Sequence, residues 1–329
     1  KGAVDRAVNT QDSGELNKNL LSNTKNLLIV ETDCETDDFI ELEEDDKSLP
    51  GRYLAVDTPK VGKRNTLITP EIVSKLKQQT GVTKLKVRSP LTCDSVGGIC
   101  QLCYGVLSNG HPPALGTNVG IIDGQTLTER ATQLTMQTFH TGASAARGST
   151  QGVTAGFKDL EEVFQMPEIL PGKATLSMIT GRVNSIRKHP SGGYEVFVGD
   201  TPHYIPAGFD LLVKEGDTIS RGDKLCVGKA KPQELAALKD FKTAQLDLVN
   251  RIRGIYKDDF HARTYESVIR GISDNAEVGV APDDSGYFPG DYIPYSLAKK
   301  INKDRNASGQ DPLRVQPYFR AINVLPMDK

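Results

Sequence analysis

The sequence predicts an α+β protein in which several different segments follow one another along an extended chain. Apolar residues recur at helical spacing near the N-terminus and again in the middle of the chain. Three cysteines lie within eleven positions, a density typical of a metal site. From Ala174 to Gly228, short alternating runs between glycine-rich turns indicate strands. We therefore expect a long helix, a cysteine-rich segment, a pair of helices, a β module and a C-terminal helical region, in that order.

Composition and charge exclude several classes of protein. The 329 residues suffice for two or more domains around a sizeable core. With 40 Lys and Arg against 42 Asp and Glu, the formal net charge is -2, so any contact to nucleic acid must be local. No apolar run reaches the ~18 residues of a membrane helix and no apolar leader is present, so we expect a cytoplasmic protein. The chain starts with Lys1 rather than Met, which suggests a fragment, a processed product or an unusual gene arrangement.

The first segment, residues 1–28, has the apolar spacing of a helix. Gly14 lies within it and predicts a bend, because glycine costs ~1 kcal/mol against alanine inside a helix. The acidic stretch from Glu31 to Asp46 is expected to be a solvated loop or an edge.

A second helix is predicted from its end signals. Thr69-Pro70-Glu71 marks its start and Gly81 its end. The alternation in residues 83–89 then predicts a strand. Three of its charges are interpreted as a solvated strand face in preference to a nucleic-acid contact, namely those of Lys84, Lys86 and Arg88.

The middle of the chain predicts a long helix, written GQTLTERATQLTMQTFH, followed by a connection, written ASAARGSTQGVTAG, that we expect to be mobile. A hairpin is predicted around Ser191-Gly192-Gly193, and two short strands over residues 210–228. Residues 233–271 are expected to be helical, and the tail after them is rich in Asp, Gly and Pro.

The cysteines predict a metal site. Cys93, Cys100 and Cys103 form a C-x6-C-x2-C pattern, and Cys34 lies 59 positions upstream of the first of them. Four thiolates complete a closed tetrahedral zinc site with Zn–S distances of ~2.3 Å; buried or redox-active thiols are the alternative. Closed coordination favours one structural zinc ion over a catalytic one. Cys226 has apolar neighbours and is expected to be a core residue.

Four stretches together resemble a known family: KGAVDRAVNTQDSGELNKNLL, the segment around Cys34, VRSPLTCDSVGGICQLCYG and TQLTMQTFHTGA. In this order they are similar to the C-terminal half of the β′ subunit of bacterial-type multisubunit RNA polymerase. The resemblance covers nearly the whole chain and weakens after about Gly271. It implies five segments: the distal part of a bridge helix at 1–30, a zinc-binding segment at 31–110, trigger-loop helices and their connection at 111–172, a barrel-sandwich-hybrid-like β module at 173–230, and a C-terminal helical region and tail at 231–329.

The resemblance implies a catalytic role for three residues of the trigger loop, a mobile element that folds over the bound nucleoside triphosphate. His140 would donate a hydrogen bond or proton toward the departing pyrophosphate, and Met136 would pack on the incoming base. Gln137 stands where the family usually has Arg, so one charge-assisted phosphate contact is missing. Without the motif, His140 would be interpreted as a helix-terminal histidine and Met136 as a core residue. The implied substrate-binding neighbours are Gln133, Leu134 and Thr135.

In the bridge helix, the resemblance places Thr10, Ser13 and Gly14 against nucleic acid. Gln11 and Glu15 depart from the family pattern there. The β module also resembles biotinyl and lipoyl carriers, but its turn from Ile219 to Asp223 offers no lysine to modify. We therefore interpret the module as a scaffold.

What the sequence lacks limits what the chain can do alone. In this family the two metal ions of nucleotidyl transfer are held by the aspartates of a D-F-D-G-D motif, and the 329 residues contain no such string. The resemblance therefore implies a nucleotidyltransferase subunit that is not active alone, with Mg²⁺ bound by a partner chain. The implied partners are an N-terminal β′ portion, a β-like subunit, the DNA template, the RNA product and nucleoside triphosphates, with no membrane. A split β′ from a large bacteriophage fits these features; the alternative is a non-enzymatic zinc-stabilised module that binds nucleic acid or protein.

Overall fold

The computed structural model describes three stretches of the chain: residues 14–76, 83–141 and 151–323. At 132–141 and 151–155 the description is of the backbone alone. None of the helices in these stretches combines the length and the apolar character that crossing a bilayer requires.

The chain divides into two compact units. One consists of Lys1–Gln165 together with Val249–Lys329, and the other is Met166–Leu248. Helices and strands occur in both. The α+β class predicted from the sequence is therefore confirmed.

The first unit opens with short elements. Their bounds are α1 at 14–24, β1 at Leu28–Glu31, β2 at Ile40–Glu43, α2 at Pro70–Leu76, β3 at Lys84–Val87, a 3-10 helix at Pro90–Thr92, β4 at Gly98–Cys100 and α3 at Gln101–Tyr104. β1 runs parallel to β4. The two backbones approach so closely at Gly98 that a Cβ there would lie 2.3 Å from the Leu28 carbonyl oxygen. Only glycine fits this approach.

The acidic stretch after β1 contains an edge strand. In β2, Ile40 and Leu42 are buried while Glu41 and Glu43 face solvent, which is the alternation of a half-buried strand. β2 pairs antiparallel with β3, and Glu43 forms an ion pair with Lys84 at 3.1 Å. The stretch therefore has both expected features, a loop at 32–39 and an edge strand at Ile40–Glu43.

A long helix, α4 at Val119–Thr141, packs against α1. A Cβ at Gly120 would lie 2.0 Å from the Thr24 carbonyl oxygen, so a side chain there would push the two helices apart. Thr128 Oγ1 donates a hydrogen bond to Asn17 Oδ1 at 3.0 Å. The N-terminal half of α4 is therefore fixed to α1.

The next helix, α5 at Gln151–Gln165, corrects one expectation. The connection predicted over 143–156 is helical from Gln151 onward, so that prediction is wrong for its last six residues. Leu160, Val163 and Phe164 are buried, and helix formation propagates cooperatively into the preceding residues. The rest of the predicted connection, residues 143–150, lies outside the described residues.

The C-terminal half contains helices and a sheet. Their bounds are α6 at Pro232–Leu238, α7 at Phe241–Tyr256, α8 at Ala262–Ser273, β9 at Asn275–Val280, β10 at Tyr292–Ile293, α9 at Tyr295–Ala307 and β11 at Arg314–Tyr318. The helices predicted over 233–271 are therefore present. The antiparallel sheet in the order β10-β9-β11 is not predicted from the sequence, because β10 is only two residues long and follows a stretch rich in Asp, Gly and Pro.

The second unit is built on an antiparallel sheet in the order β7-β6-β5-β8. The strands are β5 at Gly181–Lys188, β6 at Tyr194–Val198, β7 at Thr201–Ile205 and β8 at Thr218–Ile219. The predicted hairpin joins β5 to β6, and Gly192 and Gly193 in its turn have positive φ angles of 87° and 80°. Of the two strands predicted over 210–228, the structure has β8 and an isolated bridge between Leu211 and Cys226.

Candidate metal centre

Four segments of the first unit bring the predicted cysteines together. Cys34 follows β1, Cys93 follows the 3-10 helix, Cys100 ends β4 and Cys103 lies in α3. The parallel pairing of β1 with β4 places Glu31 opposite Cys100, which carries the distant Cys34 segment to the other three cysteines. Local spacing therefore accounts for three of the thiols and strand pairing for the fourth.

The sulfur positions fit a tetrahedral metal site. All four Sγ atoms lie within 4.8 Å of one another, and all the cysteines are free of disulfides. Cys34 Sγ lies 3.7 Å from Cys103 Sγ and 3.6 Å from Cys93 Sγ. Four sulfurs at ~2.3 Å from one zinc ion would be ~3.8 Å apart. The cluster can therefore hold one zinc ion with four sulfur ligands.

Backbone amides also point at the sulfurs. The Asp94 N–H donates to Cys34 Sγ at 3.4 Å, the Cys100 N–H to Cys93 Sγ at 3.3 Å, and the Cys103 N–H to Cys100 Sγ at 3.3 Å. Hydrogen bonds from backbone N–H groups favour the thiolate, which is the form that binds metal. The backbone is thus arranged for negatively charged sulfur.

The thiols differ in acidity because they share one site. Hydrogen bonds from Cys100, Cys103 and Cys93 hold the pKa of Cys34 far below that of a free thiol. Burial, joined by contacts with the other thiols, raises the pKa of Cys103 well above the ordinary value. A divalent cation must displace the remaining protons, so its binding strengthens as the pH rises.

Arg88 corrects an expectation from the sequence. The alternation predicts that Arg88 lies on a solvated strand face with Lys84 and Lys86, but its side chain is only 1% exposed. Its Nη2 lies 3.4 Å from Cys34 Sγ and 3.5 Å from Cys103 Sγ. β3 ends at Val87, so the alternation that would turn Arg88 toward solvent stops one residue before it.

Helix α8 packs against the stretch from Cys93 to Cys103 and hydrogen-bonds to its backbone. Arg270 donates to the carbonyl oxygens of Cys93 at 2.8 Å and Ser95 at 3.2 Å. Glu266 binds Arg52 through two hydrogen bonds of 2.9 and 2.5 Å, and both side chains are 1% exposed. Ser89 Oγ donates to the same carboxylate at 2.7 Å. No sequence pattern identifies these residues, because their contacts join positions more than 170 apart in the chain.

The buried carboxylate of Asp123 in α4 forms hydrogen bonds with α3 and α8. Asp123 Oδ1 accepts hydrogen bonds from Tyr104 Oη at 3.1 Å and Thr264 Oγ1 at 3.2 Å. Burial raises the pKa of Asp123 to about 7, although hydrogen bonds from Ser267, Tyr104 and Thr264 act in the opposite direction. Tyr104 follows the candidate ligand Cys103 directly, so its hydrogen bond to Asp123 joins the first half of α4 to the cysteine cluster.

The remaining predicted site residues are not brought together by described contacts. Gly14 lies at the first described position of α1, with open space where a Cβ would be; Thr10 and Ser13 lie outside the described residues. Six residues lie on the helical backbone of α4 where side chains are outside the description, so their grouping stays a prediction: Gln133, Leu134, Thr135, Met136, Gln137 and His140.

Comparison with known proteins places this chain in a family. The family model described as RNA polymerase Rpb1, domain 5 matches residues 1–192. The β′ subunit of DNA-directed RNA polymerase from Thermoanaerobacter sp. strain X514 is 33% identical over 95% of the chain and 28% of that subunit. The β′ subunits of Limosilactobacillus reuteri and Thermobifida fusca are each 30% identical, over 100% and 98% of the chain. The chain spans 28%, 29% and 26% of these three relatives. It belongs to the family of RNA polymerase Rpb1, domain 5.

Proposed function

We propose that this chain is a portion of the large subunit of a DNA-directed RNA polymerase and that it works in nucleotide addition during transcription. The observation that carries the proposal is similarity to β′ subunits along 95% to 100% of the chain, not over one motif alone. The chain covers about the same 26% to 29% of each relative, so the complete enzyme needs the rest of such a subunit and further chains.

In this proposal, the C-terminal half of α4 is the first helix of a trigger loop. Positions 133, 136, 137 and 140 recur at intervals of three and four residues, which brings them to one face of a helix. His140 would donate a hydrogen bond or proton to the pyrophosphate leaving group, and Met136 would pack on the incoming base. Gln137 would offer an amide where a cation would bind phosphate more strongly.

The contacts of the first half of α4 support this role. Tyr256 Oη donates to the Leu127 carbonyl oxygen at 2.8 Å, and Arg130 binds Asp259 through two hydrogen bonds of 3.0 and 2.7 Å. Together with Asp123, these contacts fix the base of the helix to other elements of the same unit. An element that closes over a substrate needs such a base, because its catalytic group must return to one geometry in every cycle.

The same proposal assigns roles to the other segments. The helix that includes α1 would be the distal part of the bridge helix, with Thr10, Ser13 and Gly14 toward nucleic acid. The unit Met166–Leu248 would be a scaffold module of the barrel-sandwich-hybrid type. The four cysteines would hold one structural zinc ion. Mg²⁺ on a partner chain would supply the charge stabilisation for phosphoryl transfer.

Co-purification tests the assembly. We expect this chain, expressed with an N-terminal β′ portion that carries the aspartate triad and with a β-like subunit, to co-elute with them in high salt and to extend a primed RNA. Omission of the aspartate-bearing chain should abolish extension. If the chain alone extended RNA at the full rate, the division of labour proposed here would be wrong.

His140→Ala tests the catalytic role in that assembly. We expect the rate of nucleotide addition in single-turnover measurements to fall by roughly a hundred- to ten-thousand-fold, the usual effect of losing a general acid. The exposed His111→Ala serves as the matched control and should leave the rate unchanged. An unchanged rate for His140→Ala in a fully assembled enzyme would remove His140 from the mechanism.

A further inference from the structure

The metal centre has an unbalanced charge. Four thiolates around one divalent cation leave two more negative charges than positive ones, and Cys93, Cys100 and Cys103 are each at most 1% exposed. Charge that is removed from water in this way is costly unless it is paired and hydrogen-bonded. The backbone N–H groups of Asp94, Cys100 and Cys103 supply dipoles but no full positive charge.

Arg88 places a positively charged guanidinium against the sulfurs and shares that charge with the Asp33 carboxylate. Its Nη2 approaches Cys34 Sγ at 3.4 Å, Cys103 Sγ at 3.5 Å and Cys100 Sγ at 3.9 Å. These distances put one guanidinium nitrogen against three of the four candidate ligands. Guanidinium keeps its charge at all physiological pH values, so this contact does not switch off.

Two other side chains fix the guanidinium in this position. Asp33 Oδ1 pairs with Nη2 at 2.6 Å, and Asn65 Oδ1 accepts from Nη1 at 2.9 Å. Asn65 Nδ2 in turn donates to Asp33 Oδ2 at 3.1 Å. The three side chains form a closed ring of hydrogen bonds. The guanidinium is therefore oriented before metal arrives.

Cys34 is the ligand that most needs such help. Three ligands lie on one short stretch from Cys93 to Cys103, but Cys34 comes from 59 positions upstream and is the only one of the four that is not fully buried. Arg88 touches Cys34 and Cys103 through the same nitrogen, so it spans the gap between the distant ligand and that stretch.

We propose that Arg88 is a positioning residue of the metal centre, which holds the Cys34 thiolate against the stretch from Cys93 to Cys103 and offsets part of the negative charge of the bound cluster. This inference rests on the zinc site within the proposed function and goes beyond it. Residues that orient metal ligands typically change metal affinity by about ten- to a hundred-fold when they are removed.

The test uses the full-length chain and three variants. Arg88→Gln removes the charge, and Arg88→Lys keeps it but cannot reach the sulfurs, Asp33 and Asn65 at once. Arg64→Gln is the matched control, because Arg64 lies in the same unit and binds Asp37 and the Thr36 carbonyl oxygen without touching sulfur. Zinc affinity is measured by competition with a chromophoric chelator.

Two further measurements separate a positioning role from a merely structural one. Alkylation by iodoacetamide, followed by peptide mass spectrometry, gives the rate for each cysteine of the zinc-loaded chain. Replacement of zinc by Co²⁺ gives the position of the sulfur-to-cobalt charge-transfer bands. A thiolate that loses a hydrogen bond becomes more nucleophilic and is more easily oxidised, so its alkylation should accelerate and its band should move to longer wavelength.

For Arg88→Gln, we expect zinc affinity to fall by about ten- to a hundred-fold, alkylation to accelerate selectively at Cys34, and the Co²⁺ bands to move to longer wavelength. Arg88→Lys should be intermediate in all three, and it carries the test if Arg88→Gln does not fold. Arg64→Gln should match the wild-type chain. Arg88 variants with wild-type affinity, Cys34 reactivity and band position would overturn the inference while leaving the zinc site standing. A wild-type chain that binds no zinc would overturn both.

Discussion

The two units of this protein bury the same residue type for different reasons. Cys226 in the second unit and Cys100 in the first are both 0% exposed. Around Cys226 lie aliphatic side chains such as those of Val183, Val196 and Leu225, and the Thr175 N–H donates to its sulfur at 3.3 Å. Cys100 has three other thiols and a guanidinium beside it. Burial therefore does not separate a candidate metal ligand from a core residue, whereas the neighbouring thiols and guanidinium do.

The difference extends to what stabilises each region. The sheet of the second unit closes over a core of Val, Ile and Leu, where apolar area removed from water contributes about 25 cal/mol per Å². Around the metal centre, Arg52, Arg88, Glu266 and Arg270 are buried, and each needs its partner in order to stay there. Loss of one ligand or partner should consequently cost more in the first unit than in the second.

The largest expected effect is that of Cys100→Ala. Removal of one of four sulfur ligands should abolish stoichiometric zinc binding and reduce the apparent stability of the first unit at pH 7 by on the order of 10 kcal/mol, because a structural site contributes its binding free energy to folding. Metal analysis and amide hydrogen exchange over residues 28–104 measure the two effects. One zinc ion per chain in this variant, with wild-type exchange, would contradict the site.

Glu266→Gln should have the next largest effect. The substitution leaves the buried Arg52 without a counter-charge, so we expect the free energy of unfolding of the first unit to fall by about 3 to 5 kcal/mol in urea titrations. For comparison, Glu43→Gln breaks the ion pair between Glu43 and Lys84, whose side chains are 59% and 55% exposed respectively. This variant should change the free energy of unfolding by less than about 1 kcal/mol. Equal losses for the two variants would show that the buried ion pair stabilises the first unit no more than the exposed pair does.

Cys226→Ala should have the smallest effect. It removes one sulfur atom from an apolar core, so we expect a loss of about 1 kcal/mol in the stability of the second unit and no change in zinc content. Thermal unfolding and metal analysis check both. A loss of zinc in this variant would contradict the assignment of Cys226 as a core residue with no role in metal binding.

Much of the fold follows from local pattern. Three signals act over a few residues each, so each can be recognised in the sequence. They are the C-x6-C-x2-C spacing, the apolar periodicity of α4 and of the helices over 233–271, and the glycines of the β5–β6 turn. The sheet around β9 was missed because a strand two residues long, such as Tyr292–Ile293, is defined by its partner and not by a pattern of its own.

The functional surroundings of the cysteines are less predictable. Alternation predicts a solvent-facing Arg88, and no sequence pattern singles out Asp123 or Glu266. The carboxylates of Glu266 and Asp123 are buried because each has a hydrogen-bond partner far along the chain. Glu266 binds Arg52, which is 214 positions away, and Asp123 binds Thr264, which is 141 positions away. No pattern within a window of ten residues contains such a pair.

By itself, the sequence determined the α+β class, the four candidate metal-ligating cysteines and the helix that carries His140, because residue type and spacing along the chain indicate each of them. Only the tertiary structure decided how the Cys34 segment reaches the other three cysteines, that Arg88 faces the cluster, and that Arg270 of α8 hydrogen-bonds to the backbone of the cysteine stretch. The physical reason is that buried charge is tolerated only where its partner is close in space. Closeness in space between distant residues is a property of the fold.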